Sequence, residues 1–259
     1  MISVIVPALN EAEQIEATLR SLAGQSLGRE NFEIVVVDGG SDDGTVEIAE
    51  KHADRVISQT HPGIGGARRD GAWAASGGTL AFTDADTAFP KSWLEVVSRN
   101  LEDHEASTGP VIFQDRDLRT EILRAWRSSY KLLKAFNFCY MIGSNMAIRR
   151  ETYQRAGGHR DISLLDDYDL SVKLFKIGAD AVYDPRQAVY TSPRRAHKLL
   201  AYGVTVAYGH YNYAVTKDYE KLLNYPKVEE MTVKDLLNGI RWGRPVVTAV
   251  ETVQSTLKR

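Results

Sequence analysis

Two aspartates separated by a single residue are the first feature of this sequence that suggests chemistry. Asp84 and Asp86 follow an apolar run that ends at Phe82, within the segment TLAFTDADTAFP. Residues i and i+2 of an extended chain share a face, about 7 Å apart, and a turn could converge both carboxylates on one divalent ion. Oxygen ligands favour Mg²⁺ or Mn²⁺. Taken alone, the pair is more typical of a polar turn that ends a buried strand, and the neighbouring motifs must decide.

Such a cation would need more ligands than two aspartates supply, because its shell is octahedral. The oxygens of a substrate diphosphate would complete that shell. The cation would then act as a Lewis acid and neutralise charge on a departing diphosphate.

The segment VVVDGGSDDGT is a second candidate site. Asp38 ends an apolar run and offers acceptor oxygens to an imide N–H of a base or to ribose hydroxyls. Gly39 and Gly40 permit a tight turn, and Ser41 or Asp43 can cap the helix that follows. An ordinary strand–turn–helix link would need the same glycines.

Three more carboxylates occur in LLDDYDL. Asp166 or Asp167 would begin a helix, where the helix dipole stabilises an ionised carboxylate. Such a group is a weak base, but it can accept a proton late in a reaction from a well-placed hydroxyl. Helix capping is the alternative role, and Asp169 is assigned to it as a first-turn charge.

Two pairs of arginines are candidate phosphate ligands. They are Arg68 with Arg69, and Arg194 with Arg195. Neighbours on a helix point about 100° apart, so both members of a pair are not expected to serve one ligand. A solvated helix face is the alternative role for each pair. The histidines show no zinc-like spacing, and the single Cys139 excludes an intramolecular disulfide and a multi-cysteine zinc site.

The first 90 residues alternate between strand-like and helix-like segments. Ile2–Val6 predicts a strand stopped by Pro7, and Asn10 is a candidate cap for the helix after it. Three further strands are predicted in FEIVVVD, DRVISQ and TLAFTDAD. This alternation predicts a parallel sheet with right-handed crossovers, in which ligands bind at the carboxyl ends of strands. Four candidate residues lie at such ends: Asn10, Asp38, Asp84 and Asp86.

The later part of the chain is less regular. Helices are predicted in PKSWLEVVSRNLE, opened by Pro90, in DLRTEILRAWRSSYKLLKAFNF and in LLDDYDLSVKLFKIG. Strands are predicted in MIGSNMAIRR and on both sides of Asp184–Pro185. We therefore predict a catalytic domain over residues 1–195, with a nucleotide-binding half (1–90) and an acceptor half (91–195), followed by a helical extension (196–259).

The composition is that of an ordinary soluble globular protein, with 43% hydrophobic and 25% charged residues. The formal net charge of −2 argues against general nucleic-acid binding. No signal peptide is recognisable, and no stretch reaches the roughly 18 apolar residues of a membrane span. A cytoplasmic enzyme is expected.

Five motifs in sequence order resemble the family 2 glycosyltransferases, which have the GT-A fold. VIVPALNEAEQIEATLRSL is similar to that family's first strand, P-x-x-N-E turn and helix, and EIVVVDGGSDDGT to its nucleotide-binding segment. GIGGARRDGAWAASGGTLAFTDAD resembles the stretch that leads to the D-x-D metal site. GSNMAIRRETYQRAGGH and LLDDYDLSVKLFKIG resemble the acceptor-side segment and the acidic helix. The resemblance covers about residues 2–195.

The resemblance implies an α/β GT-A fold with a mostly parallel sheet and a Mn²⁺- or Mg²⁺-dependent, inverting transfer from a UDP- or GDP-sugar. Asp84 and Asp86 would hold the metal, and Asp167 would be the general base, with Asp166 where the family often has Glu. Arg194 or Arg195 would close over the diphosphate. Gly39 stands where a second aspartate is common in the family, so the resemblance does not identify the nucleobase of the donor. The implied nucleotide-binding residues are Pro7, Asn10, Glu11, Asp38, Gly40, Arg68 and Asp84.

The segment LAFTDADTAF also fits the D-x-D-x-T signature of haloacid-dehalogenase phosphatases. Asp84 would then be a phosphoryl-accepting nucleophile and Asp86 an acid/base. Against this alternative, three strand–helix units precede the motif, whereas that nucleophile normally follows the first strand. A nucleotidyltransferase is disfavoured, because the turn after the first strand is acidic.

Half of the twelve tyrosines lie in residues 202–225. Either these tyrosines pack on the catalytic domain, which we favour, or they form an interfacial surface that gathers lipid-linked acceptors. The acceptor is therefore expected to be a glycan or a lipid-linked molecule. Peripheral contact with the inner face of the membrane, through the extension, stays open.

Overall fold

The computed structural model of this 259-residue chain describes residues 1–114, 118–129, 138–192 and 199–224. Its strands are β1 (Ile2–Ala8), β2 (Phe32–Asp38), β3 (Arg55–Ser58), β4 (Thr79–Phe82), β5 (Thr87–Ala88), β6 (Ala106–Thr108), β7 (Val111–Phe113), β8 (Met146–Arg149), β9 (Ala181–Tyr183) and β10 (Val189–Thr191). Its α-helices are α1 (Ile15–Ala23), α2 (Thr45–Ala49), α3 (Gly63–Ala74), α4 (Trp93–Asp103), α5 (Leu118–Ser129), α6 (Arg150–Arg155), α7 (Asp166–Lys176), α8 (Leu199–Tyr211) and α9 (Glu220–Leu223).

Seven of these strands form one sheet, in the order β3-β2-β1-β4-β8-β6-β9. The first four are parallel to one another, and β8 runs antiparallel to both of its neighbours. The chain adds β2 and β3 on one side of β1 and then places β4 on the other side. This reversal of strand order creates a crevice at the carboxyl ends of β1 and β4, where α/β proteins bind ligands. The predicted mostly parallel α/β sheet is confirmed.

The prediction that Pro7 stops the first strand is wrong, since β1 continues to Ala8 and Pro7 pairs in register with Val37. The main-chain oxygen of Ile5 accepts the N–H of Thr83, so odd-numbered residues of β1 turn their polar groups toward β4. Strand β4 has already ended at Phe82 where Pro7 faces that side. Proline has no N–H to donate, but at this position no neighbouring strand remains to accept one, so the sheet loses no hydrogen bond.

Helices cover both faces of the large sheet. On one face, apolar residues of β1 and β2 pack with Leu19 of α1 and Trp93 of α4. On the other, Phe82 packs with Ala67 of α3 and Leu170 of α7. Helix α3 lies very close to the sheet, because a Cβ on Gly71 would stand 2.4 Å from a methyl carbon of Ile5. This close approach brings the preceding turn of α3, with its arginines, to the carboxyl edge of the sheet.

Several predicted boundaries differ from the observed ones. Helix α1 begins at Ile15 and Gln14 is its N-cap residue, so Asn10 does not cap it. Strand β4 ends before the aspartates, and α4 begins three residues after Pro90. The short strands β6 and β7 were not predicted. The long helix predicted in DLRTEILRAWRSSYKLLKAFNF contains α5, and residues 130–137 of that prediction lie outside the described residues. The predicted domain boundary at 195 lies outside them as well.

A small second sheet, in the order β5-β10-β7, stands beside the aspartate turn. The hydroxyl of Thr191, on β10, lies 3.3 Å from Oδ1 of Asp86, and the N–H of Ser192 donates to the main-chain oxygen of Asp86. The turn between β4 and β5 is thus fixed on its outer side by β10.

Residues 199–224 are helical and pack on the loop before α7. A π-helical turn (Asn212–Thr216) follows α8, and the N–H groups of Ser163 and Leu164 donate to the oxygen of Leu222. The rings of His210 and Tyr213 contact Tyr168 at centroid distances of 5.0 and 5.2 Å. This agrees with the packing interpretation of the tyrosine-rich segment as far as Asn224. No helix in the described residues is long and apolar enough to cross a membrane.

Asn145, in the motif GSNMAIRR, joins three elements in the core. Its Oδ1 accepts the indole N–H of the fully buried Trp93 at 3.0 Å, and its Nδ2 donates to main-chain oxygens of Gln187 and Pro110. The two arginines of the motif are also structural. Arg149 donates to carbonyls at the end of α4, and Arg150 donates to carbonyls at and after the end of α3.

We predict that Asn145→Ala lowers the free energy of unfolding by at least about 2 kcal/mol, because it leaves the Trp93 N–H and the Gln187 carbonyl buried without partners, whereas the Pro110 carbonyl still accepts the N–H of Val189. Asn31→Ala removes an exposed amide that contacts Glu30 and is the matched control, expected within about 0.5 kcal/mol of the parent. Urea denaturation followed by tryptophan fluorescence measures both. Equal losses in the two variants would contradict the assignment.

Candidate active site

Hydrogen bonds connect the two loops at the carboxyl ends of β1 and β2. The N–H of Asn10 donates to the hydroxyl of Ser41 at 2.9 Å, and Oδ1 of Asn10 accepts the N–H of Asp42 at 3.0 Å. The N–H of Glu11 donates to the hydroxyl of Thr45. Asn10 adopts a left-handed backbone conformation, with φ of 54°, which asparagine tolerates better than most residues. The sequence pattern P-x-x-N-E therefore builds the loop as well as lining the crevice.

Asp38 is largely buried at the end of β2 and organises its own turn. Its carboxylate accepts the N–H of Gly40 at 3.0 Å and the N–H of Ser41 at 3.2 Å. Gly40 has φ of 94°, a conformation that favours glycine. A carboxylate has about four lone-pair sites and only two N–H groups donate to this one, so acceptor capacity is left for a ligand, chiefly on Oδ1.

Arg68 connects the aspartate turn to helix α7. Its Nη2 donates to Oδ1 of Asp84 at 2.7 Å, and its Nη1 donates to Oδ2 of Asp166. The arginine side chain is 3% exposed, and those of Asp84 and Asp166 are 19% and 8% exposed. A guanidinium with two carboxylate partners is suited to positioning them. The nucleotide contact of Arg68 stays a prediction.

The charges of three carboxylates act on this one guanidinium. Burial lowers the pKa of Arg68, but the charges of Asp166, Asp84 and Asp167 outweigh it and raise the pKa above its usual value. Burial raises the pKa of Asp166 to about 6 despite the adjacent Arg68, and the charges of Asp167 and Asp84 add to the rise. Net negative charge thus accumulates here, which favours the approach of a cation.

Asp167 is held by hydrogen bonds from three sides. Its Oδ2 accepts the N–H of Gly143 at 3.1 Å, and its Oδ1 accepts the N–H of Tyr168 at 2.7 Å and the hydroxyl of Tyr140 at 3.3 Å. A Cβ on Gly143 would stand 2.9 Å from the terminal nitrogens of Arg68. The absence of a side chain at Gly143 therefore lets this turn before β8 approach both the paired arginine and the carboxylate.

Asp169 has a structural role, in agreement with its assignment as a first-turn charge. It is buried, its Oδ2 lies 2.8 Å from Nζ of Lys173, and its Oδ1 accepts the hydroxyl of Tyr213 at 3.0 Å. The helix carrying Asp166 and Asp167 is thus tied to the π-helical turn after α8.

Arg69 differs in direction from Arg68, as the helical spacing of the two predicts. Arg69 points away from Arg68, pairs with Asp161 at 2.7 Å and lies over the ring of Trp73. Arg194 and Arg195 lie outside the described residues.

Gly143 and Tyr140 were not singled out from the sequence. The only available signal was the segment GSN, which was assigned to the acceptor side without a residue-level role.

Asp84 and Asp86 are the candidate oxygen donors for a divalent cation. The described residues contain no group of three or more His, Cys, Asp and Glu side chains arranged to hold a metal by themselves. Two carboxylates on one turn, completed by ligand oxygens, fit a cation that binds together with a phosphate-bearing molecule.

A family model described as Glycosyl transferase family 2 matches residues 3–157, more than half of the 259-residue chain. The chain belongs to this glycosyltransferase family. It is 31% identical over 186 residues to the PGL/p-HBAD biosynthesis glycosyltransferase of Mycobacterium bovis, a match that covers 68% of this chain and 70% of that protein. It is 38% identical over 100 residues to glycosyltransferase AglE of Haloferax volcanii, a match that covers 36% of this chain and only 33% of AglE.

Solved structures of glycosyltransferases share the fold. S. aureus TarS 1-349 in complex with UDP-GlcNAc has a TM-score of 0.63 at 19% identity, over 96% of this chain and 81% of that chain. The mannosyltransferase PcManGT from Pyrobaculum calidifontis, in complex with GDP-Man and Mn²⁺, has a TM-score of 0.61 at 22% identity, over 100% of this chain and 80% of that chain. The predicted GT-A fold is confirmed.

The phosphatase alternative is not supported. The family match covers the P-x-x-N-E and Asp38 segments, which that alternative leaves without a role. Asp84 also follows the fourth strand of the chain and is ion-paired with Arg68, which is unlike a nucleophile after a first strand.

We predict that Arg68→Met lowers the free energy of unfolding by about 3–5 kcal/mol, because it leaves two largely buried carboxylates without their counter-charge. Arg20→Met is the matched control. Arg20 pairs with Glu16 on the surface, with 68% of its side chain exposed, so its loss is expected to cost about 0–1 kcal/mol. Urea denaturation at neutral pH compares the two, and a similar small loss in both would show that the buried pairs are not important for stability.

Proposed function

We propose that this glycosyltransferase moves a sugar from a nucleotide-diphosphate donor to an acceptor hydroxyl, with inversion at the sugar carbon. The observation that carries the proposal is the meeting of the aspartate turn and the first turn of α7 on Arg68. It brings candidate metal donors and a candidate base to one crevice at the carboxyl edge of the sheet. The donor complexes of TarS and PcManGT, with UDP-GlcNAc and GDP-Man, support a UDP- or GDP-sugar.

Asp86 and Asp84 are the residues that would hold Mn²⁺ or Mg²⁺. The family resemblance makes Asp86 the more direct ligand, and one oxygen of Asp84 is paired with Arg68. When bound with the donor, the cation would supply positive charge to the departing diphosphate. The Mn²⁺ in the PcManGT complex supports a divalent metal. The choice between Mn²⁺ and Mg²⁺ is left to the binding experiment below.

Asp167 is proposed as the general base. As the acceptor oxygen attacks the sugar carbon, Asp167 takes the hydroxyl proton, and the bond from that carbon to the diphosphate oxygen breaks with its electron pair leaving on the nucleoside diphosphate. Bonds from Gly143, Tyr168 and Tyr140 hold the carboxylate in place, which reduces the entropy lost on reaching the reactive geometry. Attack opposite the leaving group gives inversion.

The acceptor is proposed to be a glycan or a lipid-linked molecule, and the protein to be cytoplasmic, with peripheral contact at the inner face of the membrane as the finer hypothesis. The aromatic side chains Tyr140, Tyr168 and Phe138 near Asp167 support an acceptor with apolar faces, since such rings pack against sugar or lipid carbons.

We predict that Asp86→Ala and Asp167→Asn both abolish transfer, but that only Asp167→Asn retains binding of the donor nucleotide. Calorimetric titration of UDP and GDP, each with Mn²⁺, with Mg²⁺ and with EDTA, measures the binding. Turnover is followed by release of nucleoside diphosphate from a panel of UDP- and GDP-sugars. EDTA is expected to weaken nucleotide binding to the parent. It is expected to have no effect on the residual nucleotide binding of Asp86→Ala.

Two results would contradict these assignments. Transfer by Asp167→Asn near the parent rate would move the base role elsewhere, with Asp166 the first alternative. Equal affinity for the nucleotide with metal and with EDTA would remove the metal from donor binding.

A further inference from the structure

Gln59 lies at the carboxyl end of β3, beside the turn that carries Asp38. Its N–H donates to the main-chain oxygen of Asp38 at 2.8 Å, which places the two residues side by side on neighbouring strands. If a Cβ were added to Gly39, it would stand 3.1 Å from Oε1 of Gln59. The side-chain oxygen of Gln59 therefore occupies the space next to Gly39, one residue after Asp38.

The side-chain amide of Gln59 has a fixed orientation. Its Nε2 donates to the main-chain oxygens of His61 at 2.5 Å and Gly63 at 2.8 Å. Carbonyl oxygens only accept, so the nitrogen must face them and both of its hydrogens are used. The oxygen Oε1 must then face Gly39, and none of the described residues donates a hydrogen bond to it.

The loop that orients this amide is itself fixed by helix α3. The carboxylate of the buried Asp70 accepts the N–H groups of Thr60 and His61 at 2.6 and 2.9 Å. Gln59 thus presents a pre-organised acceptor, held by backbone groups on one side and supported from the helix on the other. Ordering a flexible glutamine on binding would cost entropy, and this arrangement avoids that cost.

The surface around this oxygen suits a flat, partly apolar ligand. Gly39 has no side chain to block it, and Leu9, at the end of β1, exposes 46% of its surface. The Cβ of Leu9 would be 3.4 Å from a Cβ on Gly39, so Leu9 borders the same space. The carboxylate of Asp38 lies one residue away. The edge of this space therefore offers two acceptors, a carboxylate and an amide oxygen.

We propose that Gln59 is a specificity-determining residue for the donor nucleobase and that it selects a base with a ring N–H. Uracil (N3–H) and guanine (N1–H) present such a donor on their pairing edge. Cytosine and adenine present a ring nitrogen with a lone pair at that position, which would face the acceptor oxygens unfavourably. This inference rests on the proposed use of a nucleotide-sugar donor and adds the chemistry by which its base is chosen.

The test is calorimetric titration of UDP, GDP, CDP and ADP, each with saturating Mn²⁺, into the full chain. The parent is expected to bind UDP or GDP at least about tenfold more tightly than CDP and ADP, because a mismatched base leaves polar groups unpaired. Whichever of UDP and GDP binds more tightly identifies the base. Gln59→Leu keeps the approximate size of the side chain without its amide, and its preference is expected to fall to about twofold or less.

Two further variants separate base selection from a structural role. Gly39→Ala places a methyl group against Oε1 and is expected to reduce the preference without altering the amide. Gln154→Leu, an exposed position on α6, is the matched control and should retain the parent preference. If Gln59 only anchored its loop, Gln59→Leu would lower the melting temperature and weaken all four nucleotides by the same factor.

The outcomes distinguish this inference from the proposed function. Binding of all four nucleotides with similar affinity, or an unchanged preference in Gln59→Leu, overturns the role of Gln59 and leaves the transferase proposal standing. If the parent binds none of the four with Mn²⁺ or Mg²⁺, both proposals fail.

Discussion

One buried guanidinium joins the two halves of the catalytic region. Arg68, on helix α3, donates to Asp84 on the turn after β4 and to Asp166 on the first turn of α7. The close packing of α3 on β1, permitted by Gly71, puts the arginine at the carboxyl edge of the sheet. Because a buried charge must be compensated, neither carboxylate can move away without a large cost. The positions of the candidate metal donors and of the candidate base are therefore coupled.

Many residues of the recognised motifs help to build the scaffold. Asn10 joins two loops, Asn145 satisfies a buried indole, and Arg149 and Arg150 donate to carbonyls near the ends of two helices. Asp169 binds the hydroxyl of Tyr213, so the segment after the predicted domain boundary supports α7 as well. Asp86 and Asp167 are the residues that we propose for the chemistry, in a site whose geometry the other motif residues fix.

The sequence allowed the strands of the parallel half and the crevice residues to be predicted, because long β-branched runs and carboxylates at strand ends are local signals. The strands β6 and β7 have three residues each, too few for a period to show. The partners of Arg68 were also beyond prediction, since Asp166 is 98 residues away in the chain and meets it only through tertiary packing. The role of Gly143 could not be predicted either, because only tertiary packing brings Arg68 against the space that a side chain at this position would occupy.

The most direct test of this account is a crystal structure with Mn²⁺ and a nucleoside diphosphate, in which anomalous scattering locates the metal. The account predicts one strong anomalous peak coordinated by Asp86 and the diphosphate. It also predicts that Arg68 still bridges Asp84 and Asp166 and that the carboxylate of Asp167 faces the space left for the sugar. A metal bound away from the turn between β4 and β5, or Asp167 facing away from the diphosphate, would contradict it.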